Sequence, residues 1–92
     1  MLLSPDERAL LVLIARSPVP VEASGLFGRL NPIGPGTRRH GLRREAWMAR
    51  QLGLYGAHLG LHEKDLVRVV VPAAGERGDL VAATDAGHAV LG

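Results

Sequence analysis

The sequence predicts a small α+β domain, mostly α, in which three helices are followed by a β-hairpin and a short closing helix. Three observations predict it. A chain of 92 residues is one domain, taken as residues 1–92. Its hydrophobic content is 47% but its aromatic content only 3%, so aliphatic side chains and alanine must build the core, and Ala and Leu favour helix. The β-branched run LVRVVV and a second strand-like run, LVAA, both fall in the last third, which confines the expected hairpin there.

The first helix opens on Ser4-Pro5-Asp6-Glu7. Serine at the N-cap, proline at the first helical position and glutamate at the third form a capping box. From Ala9 to Ala15 nearly every residue is apolar, so this helix should be buried on most sides. Ser17 precedes Pro18 and is pushed out of helical geometry, which ends it. Val19-Pro20-Val21 is a short extended piece, and a second helix is expected over about residues 21–30, with Leu26, Phe27 and Leu30 on its apolar side. Asn31 to Gly36 holds two prolines and two glycines and must be a loop.

The third helix is expected to open at Thr37 or slightly later and to run to residue 52. Leu42, Ala46, Ala49 and Gly53 recur at i, i+4, i+7 and i+11, an apolar stripe widened by Trp47, Met48 and Leu52. Trp47 is expected in the core. Arg39, Arg43 and Arg50 fall on a different stripe, with His40 and Arg44 beside it, and Gly41 weakens the interior by roughly 1 kcal/mol. Residues 53–65 contain three glycines, which argue for a frayed continuation or a short extra helix. Leu66 to Val71 and Leu80 to Ala83 are the two hairpin strands, joined by a turn over 72–79, and Thr84 caps a last helix from Asp85 to Leu91.

Net charge is only +2, but it is unevenly placed: residues 29–50 carry six arginines against one glutamate. Such a patch is an electrostatic footprint for a polyanion. No cysteine is present, so disulfides, thiolate metal sites and thiol catalysis are excluded, and a reducing cytoplasm is the expected location. No apolar run is long enough to span a membrane. The N-terminal apolar stretch lacks a basic leader and reads as a folded helix.

Two local marks carry a resemblance. Val81-Ala82-Ala83-Thr84-Asp85-Ala86-Gly87-His88-Ala89-Val90-Leu91 is similar to a second wing strand running into L-T-x-x-G-x-x-x-L, with Ala83 where leucine is usual. Ala49-Arg50-Gln51-Leu52-Gly53-Leu54 is similar to the L-x-x-x-G-L end of a recognition helix. With the element order, the chain resembles the winged helix-turn-helix superfamily of transcription regulators of the MarR, ArsR and PadR type, over about residues 5–91. The resemblance implies that the third helix enters the major groove of double-stranded DNA, through Arg38, Arg39, His40, Arg43 and Arg44, and that Arg77 at the wing tip adds a contact. It also implies a homodimer reading repeated half-sites, for which the apolar segment Leu54 to Leu61 is the candidate surface. The chain departs from the pattern in its long loop before the third helix, in Gly41, in the insertion over 55–64 and in a nearly neutral wing tip.

The physics of arginine fits this assignment: it pairs bidentately with guanine edges and also contacts phosphates. A cationic face can equally be a solvated one, or can meet an acidic protein, so the alternative function is a protein–protein adaptor without DNA binding. His58 and His62 are four apart and would share a helix face, as metal ligands do. A third ligand is not evident from spacing, so no metal or other cofactor is expected. No serine, carboxylate pair or phosphate-binding loop is placed for catalysis, and enzymatic function is not expected.

Overall fold

The computed structural model describes residues 2–34 and 41–92. Among them the elements run α1 (Pro5–Arg16), β1 (Val21–Glu22), α2 (Ala23–Leu30), α3 (Leu42–Glu63), β2 (Val67–Val71), β3 (Leu80–Ala83) and α4 (Asp85–Leu91). This is the expected α+β class: four helices and a three-stranded antiparallel sheet.

The capping box forms as its residue types dictate. Ser4 Oγ accepts the Glu7 N–H at 3.1 Å, and Glu7 Oε1 accepts the Ser4 N–H at 2.9 Å. Leu10, Leu11 and Ile14 of α1 are buried, and α1 packs against every other helix and against β3. Around it close Leu26 and Phe27 of α2, Leu54 and Leu61 of α3, Leu66, and Val67 and Val81 of the hairpin.

β3 is the central strand, in the order β1-β3-β2. Val21 lies opposite Val81, and Val67 opposite Ala83. The register slips between Val69 and Val71, leaving one extra residue on β2. A bulge of this kind increases local twist and blunts an edge strand against stray pairing. It matters here because β2 is the edge and exposes Val69, Val70 and Val71.

The third helix departs from expectation in three ways. It begins at Leu42 rather than near Thr37, with Gly41 as its N-cap at φ +132°, a backbone region that L side chains rarely adopt. Gly41 therefore stands at the start of the helix and is not a weak point inside it. The helix then continues unbroken to Glu63, so residues 53–63 are neither frayed nor separate. The reason is packing: a Cβ at position 60 would lie 2.5 Å from Glu7 Oε2, so Gly60 admits the close approach of α1. Burial against a neighbouring helix outweighs the weak intrinsic propensity of glycine.

The face that α3 buries is also not the expected one. Leu42, Ala46, Ala49 and Gly53 are exposed, while Leu54, Ala57 and Leu61 form the buried side. Residues 41–50 are all exposed except the half-buried Trp47, so the core takes the stripe lying C-terminal to residue 53.

The end of α3 is set by a Schellman motif. Asp65 adopts φ +58°, its N–H bonds to His62 O at 3.0 Å, and the Leu66 N–H bonds to Leu61 O at 3.0 Å. Leu61 and Leu66, the pair this motif brings together, are both fully buried. Thr84 ties this turn to α4: its hydroxyl donates to Asp65 O at 2.7 Å and accepts the Gly87 N–H at 3.0 Å, and its own N–H bonds to Leu66 O at 3.0 Å.

Candidate nucleic-acid interface

Of the residues expected to meet DNA, Arg38, Arg39 and His40 lie outside the described residues. Arg43 and Arg44 stand exposed in the first turn of α3, on the side of the molecule where the 31–41 segment joins α2 to α3. The N-cap is Gly41, which has no side chain to cap that turn. The helix dipole adds partial positive charge at the same end. Glu45 in the same turn opposes this field.

A polar clasp fixes where this end of α3 sits. Trp47 Nε1 donates to Asn31 O at 3.0 Å, and Asn31 Nδ2 donates to both Trp47 O at 3.0 Å and Gln51 Oε1 at 3.0 Å. Trp47 is thus half-buried at the α2–α3 junction, not in the core as expected. The clasp joins the C-cap of α2 to the second and third turns of α3. Replacing Asn31 by Ala removes two donated bonds at a partly exposed site, and is expected to lower stability by about 1 kcal/mol. A fluorescence scan of the single tryptophan should show its emission shifting towards that of a solvated indole in the same variant. An unchanged emission maximum would mean that Asn31 does not hold the ring.

Two further arginines are held away from the first turn of α3. Arg50, expected on the cationic stripe, is ion-paired with Asp6 of α1. Arg77, expected as the wing contact, donates from Nη1 to Gly78 O at 3.3 Å and from Nη2 to Pro72 O at 3.1 Å. It braces the hairpin connection, helped by Asp79, whose Oδ1 accepts the Ala73 N–H at 2.7 Å. The structure therefore brings together Arg43 and Arg44 at one end of α3, and places Arg77 apart on the hairpin with its guanidinium on the turn.

His58 and His62 do share a face of α3, their Nε2 atoms 3.2 Å apart. Among the described residues no group of three His, Cys, Asp or Glu side chains is arranged to hold a metal ion. His58 stacks edge-on against Phe27 at 6.1 Å and borders a pocket of about 180 Å³ that also touches Tyr55, Glu22 and Asp79. Burial, and then the charge of His62, hold the His58 imidazole below its usual range, with Asp79 acting the other way. Its Nδ1 is buried and makes no hydrogen bond among the described residues. His58 thus faces Phe27 of α2 and, across the pocket, Gly78 and Asp79 of the hairpin connection.

Two features escaped the reading of the chain. One is the ion pair between Glu7 and Lys64, which joins the two ends of the α1–α3 contact at 2.6 Å; nothing in the spacing of residues 57 apart announces it. The other is a row of exposed apolar side chains on α3: Met48, Leu52, Tyr55 and Leu59 are 48%, 71%, 54% and 43% exposed. Their 4-3-4 spacing was present in the sequence but was absorbed into a single broad apolar face. Half of the proposed dimer segment is consequently buried within the monomer, at Leu54, Ala57 and Leu61, and half faces out.

No family model, curated protein or solved structure gives a significant match to this chain. Among the described residues no helix is long and apolar enough to cross a membrane.

Proposed function

We propose that this chain is a winged helix-turn-helix DNA-binding protein that acts as a cytoplasmic transcriptional regulator on double-stranded DNA, binding as a homodimer and carrying no catalytic activity. The observation that carries the reading is the pair of exposed arginines, Arg43 and Arg44, in the first turn of α3, within a segment that holds six arginines against one glutamate. The element order and the β1-β3-β2 sheet support it, being the order a winged helix requires. Helix-turn-helix proteins contact bases mainly from the N-terminal part of the third helix. Arg38, Arg39, His40, Arg43 and Arg44 all belong to that end of the chain segment. Arg77 is a minor contributor, because its guanidinium also holds the turn.

A second reading is favoured by a different observation. The exposed Leu42, Met48 and Leu52 lie on the same half of α3 as the arginines, which suits a protein surface better than a phosphate backbone. In that reading the domain is an adaptor.

Fluorescence anisotropy with duplex DNA separates the two. Wild type is expected to bind at about 150 mM salt, with log K falling by about 0.9 per phosphate neutralised for each unit of log salt. The triple variant Arg39→Ala/Arg43→Ala/Arg44→Ala should bind more weakly and lose roughly two to three units of that slope. Equal, weak binding by both proteins would remove the DNA reading and leave the adaptor.

A further inference from the structure

The apolar row on α3 has a property beyond exposure. A spacing of 4-3-4 is that of alternating coiled-coil seam positions. By the ~100° turn per residue, Met48, Leu52, Tyr55 and Leu59 form one stripe centred roughly 155° from the buried side of Leu54, Ala57 and Leu61. The helix therefore has two apolar faces. One is used by its own domain, and the other is covered by nothing in the described chain.

From this stripe we infer that α3 pairs antiparallel with α3 of a second copy, around a two-fold axis between Leu52 and Tyr55. The stripe is symmetric about that point. Reversing one helix sets Met48 against Leu59 and Leu52 against Tyr55, so all four apolar residues of each copy meet apolar partners. At either end of the seam the next position places Glu45 against the helix position of His62. On one flank the small residues Ala49 and Gly56 come opposite each other, and a Cβ at Gly56 meets nothing within 4 Å in the monomer, which leaves room for a second backbone.

Charge selects the antiparallel arrangement. The N-terminal turn of α3 carries Arg43, Arg44 and Glu45, a net positive end, and its C-terminal end carries Glu63, Lys64 and Asp65, a net negative one. Reversal puts cationic ends on acidic ends and opposes the two helix dipoles, whereas a parallel pair would stack like charges. The two stripes together would withdraw on the order of 1,000 Å² from water, the lower range for a specific interface and therefore a reversible dimer. The arginine-bearing turns remain outside the seam, at opposite ends and about 32 Å apart by the ~1.5 Å rise per residue. That is close to the ~34 Å between successive major grooves on one side of a duplex. The pairing thus supplies the homodimer that the DNA reading requires, but it is argued and tested without DNA.

Sedimentation equilibrium on the full chain, up to about 100 μM where an interface of this size is populated, is the first measurement. Wild type is expected to be a monomer–dimer mixture. Leu52→Glu should weaken association at least about 100-fold by setting carboxylates in the seam. Met48→Lys should weaken it in the same direction, and both should keep the wild-type circular dichroism because the sites face solvent in the monomer. The chain contains no cysteine, so orientation can be read by disulfide trapping. A mixture of Glu45→Cys and His62→Cys proteins should cross-link to each other, and Glu45→Cys alone should not. A wild type that stays monomeric, a dimer indifferent to both charge variants, or self-cross-linking of Glu45→Cys would each overturn the inference. DNA binding that survives as a monomer would leave the DNA reading intact while removing this one.

Discussion

Gly87→Ala is expected to destabilise the domain by about 3 kcal/mol, the upper end of what one added methyl does in a closed site. A Cβ at this position would lie 2.1 Å from the carbonyl oxygen of Leu66 and 3.1 Å from its carbonyl carbon. Both atoms are backbone, and neither can swing aside. The Leu66 carbonyl already accepts the Thr84 N–H, and Leu66 itself is the buried residue of the turn that ends α3. Accommodating the methyl therefore means moving α4 away from that turn, which strains the bonds of Thr84 to Asp65 and Gly87. For a domain of this size the loss should lower the melting temperature by on the order of 15 °C. Urea unfolding should show a lower midpoint at unchanged slope. Gly28→Ala provides the contrast: nothing lies within 4 Å of its Cβ position in α2, and the change should stabilise by about 0.4–1 kcal/mol. If Gly87→Ala were as stable as wild type, α4 would not be docked against Leu66 as described.

The second large effect is expected at Lys64. Its ammonium donates to both oxygens of Glu7, at 2.7 and 2.6 Å, and the Glu7 carboxylate is almost fully buried. Lys64→Met leaves that carboxylate with only the Ser4 backbone and hydroxyl region for support, and its second oxygen without a partner. The loss at neutral pH should be about 2–3 kcal/mol, below the ~3–5 typical of a fully buried pair because the lysine side chain is 32% exposed. The pH dependence is the sharper check. The Lys64 ammonium, followed by the Ser4 N–H, holds the Glu7 carboxyl below its ordinary value, while burial opposes them. A depressed folded value contributes stability that is fully present above the unfolded pKa, about 4.3 for glutamate. It is lost as pH falls through the folded value. Wild type should consequently lose more stability on acidification than Lys64→Met, and the gap between them should narrow from pH 7 towards pH 3. A gap constant across that range would mean that the pair is not charged in the folded protein.

Both predictions concern joints between elements, and the joints are where the residue pattern is least informative. Ser4, Pro5 and Glu7 announce the start of α1 because a capping box is local: all its partners lie within three residues. Thr84 and Asp85 announce α4 in the same way, and the valine-rich run of β2 with the apolar run of β3 announces the hairpin. Gly87 stands out in the pattern as a glycine, but only the approach of the Leu66 carbonyl explains why nothing larger fits. The glycines of α3 point the wrong way when read locally. They suggest a break, whereas Gly60 is needed because Glu7 sits over it, and the helix continues.

The candidate interface divides along the same line. The arginine cluster is legible as composition, since six arginines within 29–50 need no structure to count. Which of them face outward together is not legible. Arg50 of that cluster pairs with Asp6, and Arg77, outside it, pairs with the carbonyls of its own turn, through contacts set by how α1 lies on α3 and how the hairpin closes. The apolar periodicity of α3 is visible too, but two stripes on one helix look like a single wide one until something determines which is buried.

The residues alone were enough for the α+β class, the starts of α1 and α4, the runs of β2 and β3, and the concentration of positive charge before and within the third helix. These follow from short-range physics: capping, backbone propensity and the spacing of like residues. The tertiary structure alone decided the length of α3, which of its faces enters the core, the pairing of Glu7 with Lys64 and the position of Trp47 against Asn31. Those depend on groups distant in the chain, whose meeting is set by the summed packing of all the elements rather than by any segment of residues.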